Sequence, residues 1–382
     1  MAESLTKDND ISVAAITEES IAIRSPARSP SQVIWHKLRR NRTAMFGLWT
    51  LAVLYLASIF AGFLAPYRYD NGATKFPFHA PMITRIRIFD EEGRLTRPFV
   101  YGIIAEDNIL KTYSEDKSEK YPIQFFKRGD DYHILWIIHS NIHLFGVQEP
   151  GRFFLFGSDQ LGRDLFSRVL YGAQISLSVG ILGIIISTLL GLIIGGVAGY
   201  FGGAADFTLM RAVEVLLAIP GLYFILIMRQ MFASNLNSTQ IYLIIVVILA
   251  LIGWATQARV IRGMVLSIRE REFVIAARAL GFSHWRIILR HILPNTLSFV
   301  IVTATLSVPF YILGEVALSF LAVGIQEPEA SWGNMLTLAQ SNRVLADFPW
   351  VLVPGAFIFI SVMAWNFLGD GLRDATDPRT ID

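Results

Sequence analysis

Six stretches of this chain, residues 44–64, 175–200, 206–228, 241–258, 296–323 and 350–369, are apolar for about the length an α-helix needs to cross a bilayer, roughly 20 residues for ~30 Å of hydrocarbon. Inside lipid every backbone N–H and C=O must find a partner within the protein, so each stretch predicts a helix rather than a single strand. The third is the weakest, because Asp206, Arg211 and Glu214 fall in its first turns. It can span only if those charges face a bundle interior, a cavity or the interface. The whole composition agrees: 53% hydrophobic and 17% charged is too apolar for a soluble domain of 382 residues. The expected fold class is therefore an all-α polytopic membrane protein with six transmembrane helices. With no cysteine, disulfides, thiolate zinc sites and thiol nucleophiles are excluded.

Lys and Arg next to membrane ends mark the cytoplasmic side. Lys37, Arg39, Arg40 and Arg42 precede the first stretch, and Arg259, Arg262, Arg269, Arg271, Arg278, Arg286 and Arg290 separate the fourth from the fifth. Both segments belong on one side, so the number of crossings between them is even. Four helices satisfy this and three do not, which is independent support for the third span. Both termini are then expected in the cytoplasm. Residues 1–34 are polar, of mixed charge and without the apolar core of a signal peptide, and read as a disordered cytoplasmic tail. Residues 35–64 form a basic lead-in and the first helix, and residues 157–382 hold the remaining five.

Residues 65–156 make an unusually long connection on the other side, with strand patterns. Residues 84–89 and 95–103 flank the turn-like Glu91-Glu92-Gly93, and residues 121–126 and 132–138 flank Gly129-Asp130-Asp131, which predicts two hairpins in a small β-rich insert. His139 and His143, four apart without a thiolate nearby, read as ordinary surface residues rather than a metal site.

The arginine-rich loop, 259–294, reads as two short helices. Phe273-Val-Ile-Ala-Ala-Arg-Ala-Leu280 has helical spacing, Gly281 suits a helix C-terminus, Ser283 can cap the next helix and Pro294 closes it. Pattern alone leaves open whether this pair lies on anionic headgroups or on a protein partner.

One resemblance separates the two. Ala276-Ala277, three residues, Gly281, nine residues, then His291-Ile-Leu-Pro294 is similar to the loop motif of binding-protein-dependent ABC importer permeases. Phe156-Gly-Ser-Asp-Gln-Leu-Gly-Arg-Asp-Leu-Phe-Ser-Arg168 with Tyr171-Gly-Ala-Gln174, Leu318-Ser-Phe-Leu321 with Ser331-Trp-Gly-Asn-Met-Leu336, and Leu368-Gly-Asp-Gly-Leu-Arg-Asp374 resemble the oligopeptide and dipeptide branch of that family. The resemblance implies a type I ABC importer permease fold in a bacterial inner membrane, importing oligopeptides or dipeptides by alternating access. It implies a second permease subunit, two ATPase subunits that bind ATP and magnesium, and a periplasmic or lipid-anchored substrate-binding protein, with the insert in the periplasm. Phe273, Val274, Ile275, Ala276, Ala277, Arg278, Gly281, His291, Leu293 and Pro294 would form the ATPase-coupling element, in which small Ala276 and Ala277 allow close approach. Ile275 stands where the family's motif carries Glu, so an ion pair made there elsewhere is not available here.

Other candidates come from the residues themselves. Gly191, Gly195 and Gly199 give one helix face a bare backbone for close packing. Arg211 and Glu214, three apart, can pair. Pro220 and Pro309 interrupt spans and offer either gating kinks or kinks tolerated by their neighbours. Glu315 is an isolated carboxylate in a span, facing either the translocation path or a neighbouring helix. No phosphate-cradling loop, His-Glu-x-x-His or Gly-x-Ser-x-Gly occurs, so the chain is expected to be a transport subunit and no enzyme, with no cofactor of its own. Other cargo, such as nickel complexes or oligosaccharides, remains open, as do an intramembrane enzyme and a non-transporting receptor.

Overall fold

A computed structural model describes residues 30–89, 93–107, 109–134, 137–231 and 236–377. In chain order its elements are α1 (Pro30–Arg40), α2 (Arg42–Ile59), α3 (Ala61–Leu64), β1 (Arg87–Phe89), β2 (Leu95–Asp107), β3 (Thr112–Pro122), β4 (Gln124–Ile134), β5 (Ile138–Gly146), α4 (Leu165–Phe201), α5 (Gly203–Ala218), α6 (Gly221–Met231), α7 (Ser238–Ile268), α8 (Glu272–Ala279), α9 (His284–Ile287), α10 (Leu293–Phe320), α11 (Trp332–Met335), α12 (Asn342–Asp347) and α13 (Val353–Thr376). Most of the expected tail and the Glu91-Glu92 turn lie outside the described residues.

Five helical stretches among the described residues are long and apolar enough to cross a membrane: Arg42–Ile59, Leu165–Phe201, Ser238–Ile268, His284–Phe320 and Pro349–Thr376. The third expected span is instead divided into α5 and α6. Pro220 causes the break: Ile219 before it is extended, with ψ 124°, as proline's ring requires of its predecessor. Pro309, by contrast, stays within α10 without ending it.

The bundle is assembled around α4. Asp164 opens this helix, its side chain accepting the Ser167 N–H. One face of α4 is glycine. A Cβ at Gly191 would stand 2.7 Å from Gln257 Cβ, at Gly195 2.5 Å from the Ala258 carbonyl oxygen, and at Gly199 2.8 Å from the Arg262 carbonyl oxygen. All three partners are on α7, so the backbones of α4 and α7 touch over more than two turns, closer than any side chain permits. Farther along α4, Gly180 and Gly183 receive Ile312 and Tyr311 of α10 in the same way. The main core of Leu177, Ile184, Ile245, Leu249, Val308, Tyr311 and Trp332 fills the space between these three helices. α2 packs on α13 through Gly47 and Ala44, and α1 lies beside the end of α13 with Leu38 against Gly371.

Between α2 and α4 the chain forms an antiparallel sheet in the order β1-β2-β3 and a separate β4-β5 hairpin. Met82, Val100, Ile123, Val147, Phe153 and Phe154 give it a small core of its own. The first expected hairpin is present in part: Arg87–Phe89 pairs with β2, while residues 83–85 form a 3-10 turn and not the start of a strand. The second is misplaced: β4 runs through Gly129-Asp130-Asp131 and turns only after Ile134, while the 121–122 end of the expected strand pairs with β2. The pairing slips register between Arg128 and Tyr132, a bulge that contains Gly129, where a Cβ would stand 2.8 Å from the His143 ring. His143 is accordingly buried, with its ring nitrogens 2.6 Å from the Ala65 carbonyl oxygen and 3.0 Å from that of Asp130, and is not the surface residue expected.

The α4–α7 contact has no room for a side chain. Gly195→Leu should therefore cost at least the 1–3 kcal/mol typical of overpacking, about, read as a lowered melting temperature in detergent. Gly263→Leu on the open side of α7, where nothing lies within 4 Å, should leave it unchanged.

Candidate functional site

The arginine-rich segment folds onto the far ends of the two helices that touch. α7 continues ten residues past the expected boundary, so Arg259 and Arg262 are helical and not part of a loop. After Arg271 the short α8 begins, and it ends in a Schellman turn. Gly281, at φ +76°, donates to the Arg278 carbonyl, and Phe282 donates to that of Ala277, which satisfies the last free carbonyls of the helix. Only glycine adopts this φ without strain.

Ser283 precedes α9 but makes no side-chain cap. Pro294 does not close the second helix, contrary to expectation. α9 passes through a π-helical turn, Ile288–Ile292, in which Leu293 N–H bonds to Ile288, and Pro294 sits in the first turn of α10. Proline's missing N–H costs nothing in a first turn, and the widened turn before it makes room for the ring.

One apolar core fixes this pair of helices. Val274 and Ala277 of α8, Ile287 of α9 and Ile288 and Ile292 of the π turn are buried against Tyr200 of α4 and Ile261 and Val265 of α7. Three arginines of the segment serve the same anchorage. Arg262 makes a two-pronged ion pair with Asp206 in the first turn of α5, one arm at 2.6 Å. Arg269 donates to the Gly199 carbonyl at 3.0 Å, placing a cation on the negative end of α4. Arg278 stacks over the Tyr200 ring, whose hydroxyl is 2.9 Å from His284 Nδ1. Spacing gave no sign of the Asp206–Arg262 pair, because its members lie on different helices 56 residues apart.

The outward side carries an apolar patch among charged residues, Glu272, Arg278, Arg286 and Arg290 being exposed as well. Phe273, Ala276 and Leu280, at i, i+3 and i+7, share the exposed face of α8, flanked by Ile275, Trp285 and Leu289. Ala277, expected beside Ala276 at a partner surface, is turned inward instead. His291 stacks on Phe282 with ring centroids 5.8 Å apart, and Leu293 packs on the buried cluster. Arg211 and Glu214 pair as expected, at 2.7 Å, on an exposed face of α5.

Two polar clusters occupy the opposite end of the bundle. Glu315 is fully buried. Its two oxygens accept hydrogen bonds from Ser176 of α4 at 2.8 Å and Ser319 at 2.7 Å, while the Ser176 and Ser319 hydroxyls in turn accept the N–H groups of Trp332 and Ile325. One carboxylate thus joins α4, α10 and the segment before α11. The second cluster falls in the family-like segment 156–168. Buried Arg163 and Arg168 both reach Glu327, Arg163 also bonds Asp159 at 2.6 Å, and Arg168 donates to the Tyr69 carbonyl. Ser158 bridges the same segment to the insert, donating to the Phe76 carbonyl and accepting from His79 N–H, a role any hydroxyl fills. Only the Asp159–Arg163 pair, four residues apart, lies within the motif; Glu327 and Tyr69 are remote in sequence and leave no local sign.

The family profile described as binding-protein-dependent transport system inner membrane component matches residues 187–382, and that described as the N-terminal TM domain of oligopeptide transport permease C matches residues 29–81. The dipeptide transport system permease protein DppC of Bacillus subtilis is 33% identical over 361 residues, covering 94% of this chain and 89% of its own length. The oligopeptide transport system permease protein OppC of Haemophilus influenzae is 44% identical over 225 residues, covering 59% of this chain and 70% of its own. A putative peptide permease protein of Brucella ovis is also 44% identical over 225 residues, covering 59% and 72%.

The buried cap Asp164 carries a pH signature. Burial pushes its carboxyl up from 3.8 to about 7, against the hydrogen bonds from Ser167. The folded state therefore holds this proton more tightly than the unfolded chain, and stability should decline as pH rises from about 4 to about 7, then level off. Asp164→Asn keeps a capping oxygen without the charge. Melting temperatures across pH 4–9 should show the wild-type decline flattened in this variant, with the gap widest above pH 7 and worth up to about 4 kcal/mol.

Proposed function

The chain belongs to the family of binding-protein-dependent transport system inner membrane components, and from that premise we propose that it is the permease subunit of an ATP-driven peptide importer, driven through α8 and α9. The observation that carries the coupling role is the two-sidedness of α8: Val274 and Ala277 hold it to the α4–α7 seam, while Phe273, Ile275, Ala276 and Leu280 are left exposed on a segment rich in arginine. An exposed apolar face rimmed by charge is the surface expected of a protein–protein contact. Ile275 enlarges the apolar face, so coupling here depends on apolar fit and not on an ion pair at that position.

In this reading two ATPase subunits bind ATP and magnesium, and a second permease completes the pore. A substrate-binding protein delivers cargo at the end that carries the insert. That end faces the periplasm of a bacterial inner membrane, and both termini and the α8–α9 segment face the cytoplasm. The parity of basic segments supports this and asks for a sixth crossing, formed by α5 and α6 together around Pro220. ATP-driven approach of the ATPases displaces α8. Because α8 is anchored to α4 and α7, the displacement reaches the helices that line the path as a rigid shift and not as a local bend. The Gly191, Gly195 and Gly199 face serves as the shaft of that shift, with Arg211 and Glu214 satisfying each other beside it.

Glu315, enclosed by hydroxyls, acts as an anchor between helices at the periplasmic end. The relatives named for dipeptide and oligopeptide transport support peptides as cargo, ahead of nickel complexes or oligosaccharides.

Ala276→Asp tests the coupling role without touching the core. It places an unpaired charge in the proposed contact at a cost on the order of 2–3 kcal/mol. Co-purification with the ATPase subunits and peptide uptake in proteoliposomes should both fall at least tenfold while the melting temperature of the isolated chain is unchanged. Full uptake with the ATPases still bound would remove α8 from the coupling path.

A further inference from the structure

The β4-β5 hairpin presents apolar residues where a soluble insert would present polar ones. Ile137 is 83% exposed and Ile138 60%, and Phe125, Phe126 and Ile142 are exposed as well. Isolated apolar residues on a surface are ordinary, but a cluster at the tip of one hairpin calls for something to cover it.

The position of the hairpin identifies the cover. His143 lies against the carbonyl of Ala65, just beyond α3, while Tyr132, nearer the tip, packs on Gly62. Moving along the hairpin toward its turn therefore moves back along the first span toward the bilayer. Phe126 meets Phe63 at a ring distance of 6.2 Å, which joins the apolar hairpin to the exposed residues Leu56 and Phe60 of that span. Counted from Ala44, a helix crosses ~30 Å of hydrocarbon in roughly 20 residues, so Gly62 stands near the edge of the acyl region. Ile134 and Ile138 face each other two strand residues beyond Tyr132 toward the turn, about 7 Å farther along the hairpin.

We infer that the tip of the β4-β5 hairpin, Ile134 and Ile137–Ile138, enters the acyl region of the leaflet at the insert's end of the bundle, as a lipid anchor for the insert. The depth matches that of interfacial apolar segments, about 5–10 Å. Polar groups follow the same order. The exposed His133 and His139 face each other beside the tip, with Asp131 3.6 Å from His139, and the exposed Arg128 lies above them at headgroup level, where a cation meets phosphates, while Lys127 is turned inward to the Val147 carbonyl. The inference depends on the chain crossing a membrane and not on its cargo or on coupling through α8.

The absence of cysteine makes the test direct. Single-cysteine variants at Ile138, Ile142 and Lys117 of the full chain, assembled with whatever subunits co-purify and placed in lipid nanodiscs, would carry one nitroxide each. Collisions with oxygen, which concentrates in acyl chains, are compared with collisions with a water-soluble nickel chelate. The oxygen-to-nickel ratio should fall in the order Ile138, Ile142, Lys117, with oxygen dominant at Ile138. Nickel dominance at Ile138 would put the tip in water, and low collision rates with both reagents there would put it against protein. Either result overturns the lipid anchor.

Discussion

The bundle depends on a contact between two helix backbones. Where Gly191, Gly195 and Gly199 of α4 meet Gln257, Ala258 and Arg262 of α7, no side chain separates the helices. In a bilayer such closeness is itself a source of stability, because lipid supplies little hydrophobic drive for helices to associate and packing must supply it instead. The contact also sets geometry. It brings Tyr200 and Val265 together at one end of the pair, and these two residues provide the floor on which α8, α9 and the π turn are packed. The Asp206–Arg262 pair then fastens α5 to the same place. An ion pair of this kind adds little in water, but near a membrane boundary its alternative is an unpaired charge, so it fixes where α5 begins.

The opposite end is held by polar groups. Glu315 ties α4, α10 and the α11 segment through serine hydroxyls, and Arg163 and Arg168 clamp the lead-in of α4 onto Glu327. The two ends thus differ in emphasis: at the arginine-rich end the Arg262 and Arg269 contacts supplement a backbone contact and an apolar core, while at the insert's end buried hydrogen bonds and ion pairs join the elements. Helices held by a wide backbone contact move together. In the proposed coupling this makes the α4–α7 pair the natural carrier of a displacement applied at α8.

The sequence revealed whatever depends on periodicity and on single residues with strong conformational preferences. The long apolar stretches, the glycine face, the C-terminal role of Gly281 and the first β-hairpin belong to this class. The structure departs from the sequence pattern where a residue has two physical uses. Pro294 was expected to stop a helix, but proline fits a first turn equally well, and the π turn before it supplies the slack. Gly129 was expected to be a turn and is a close approach to His143. Pro220 divides a span that hydropathy reads as continuous. The site was legible as a segment and not as a surface: helical spacing allots Val274, Ala276 and Ala277 to the same short helix, while which of them faces the core depends on Tyr200 and Val265, which are distant in sequence. The pairing of Arg262 with Asp206, and of both Arg163 and Arg168 with Glu327, left no local trace for the same reason.

If α8 and the glycine-faced helix form one mechanical body, the distance between them must not change when the transporter does. Spin labels on single cysteines at Ile193 of α4 and Glu272 of α8, both exposed, would report that distance by double electron–electron resonance in the complex with its ATPases. A single distance distribution, the same without nucleotide and with ATP trapped, is the predicted result. A shift of that distribution on ATP binding would show the loop swinging free of α4, and would contradict transmission through the seam.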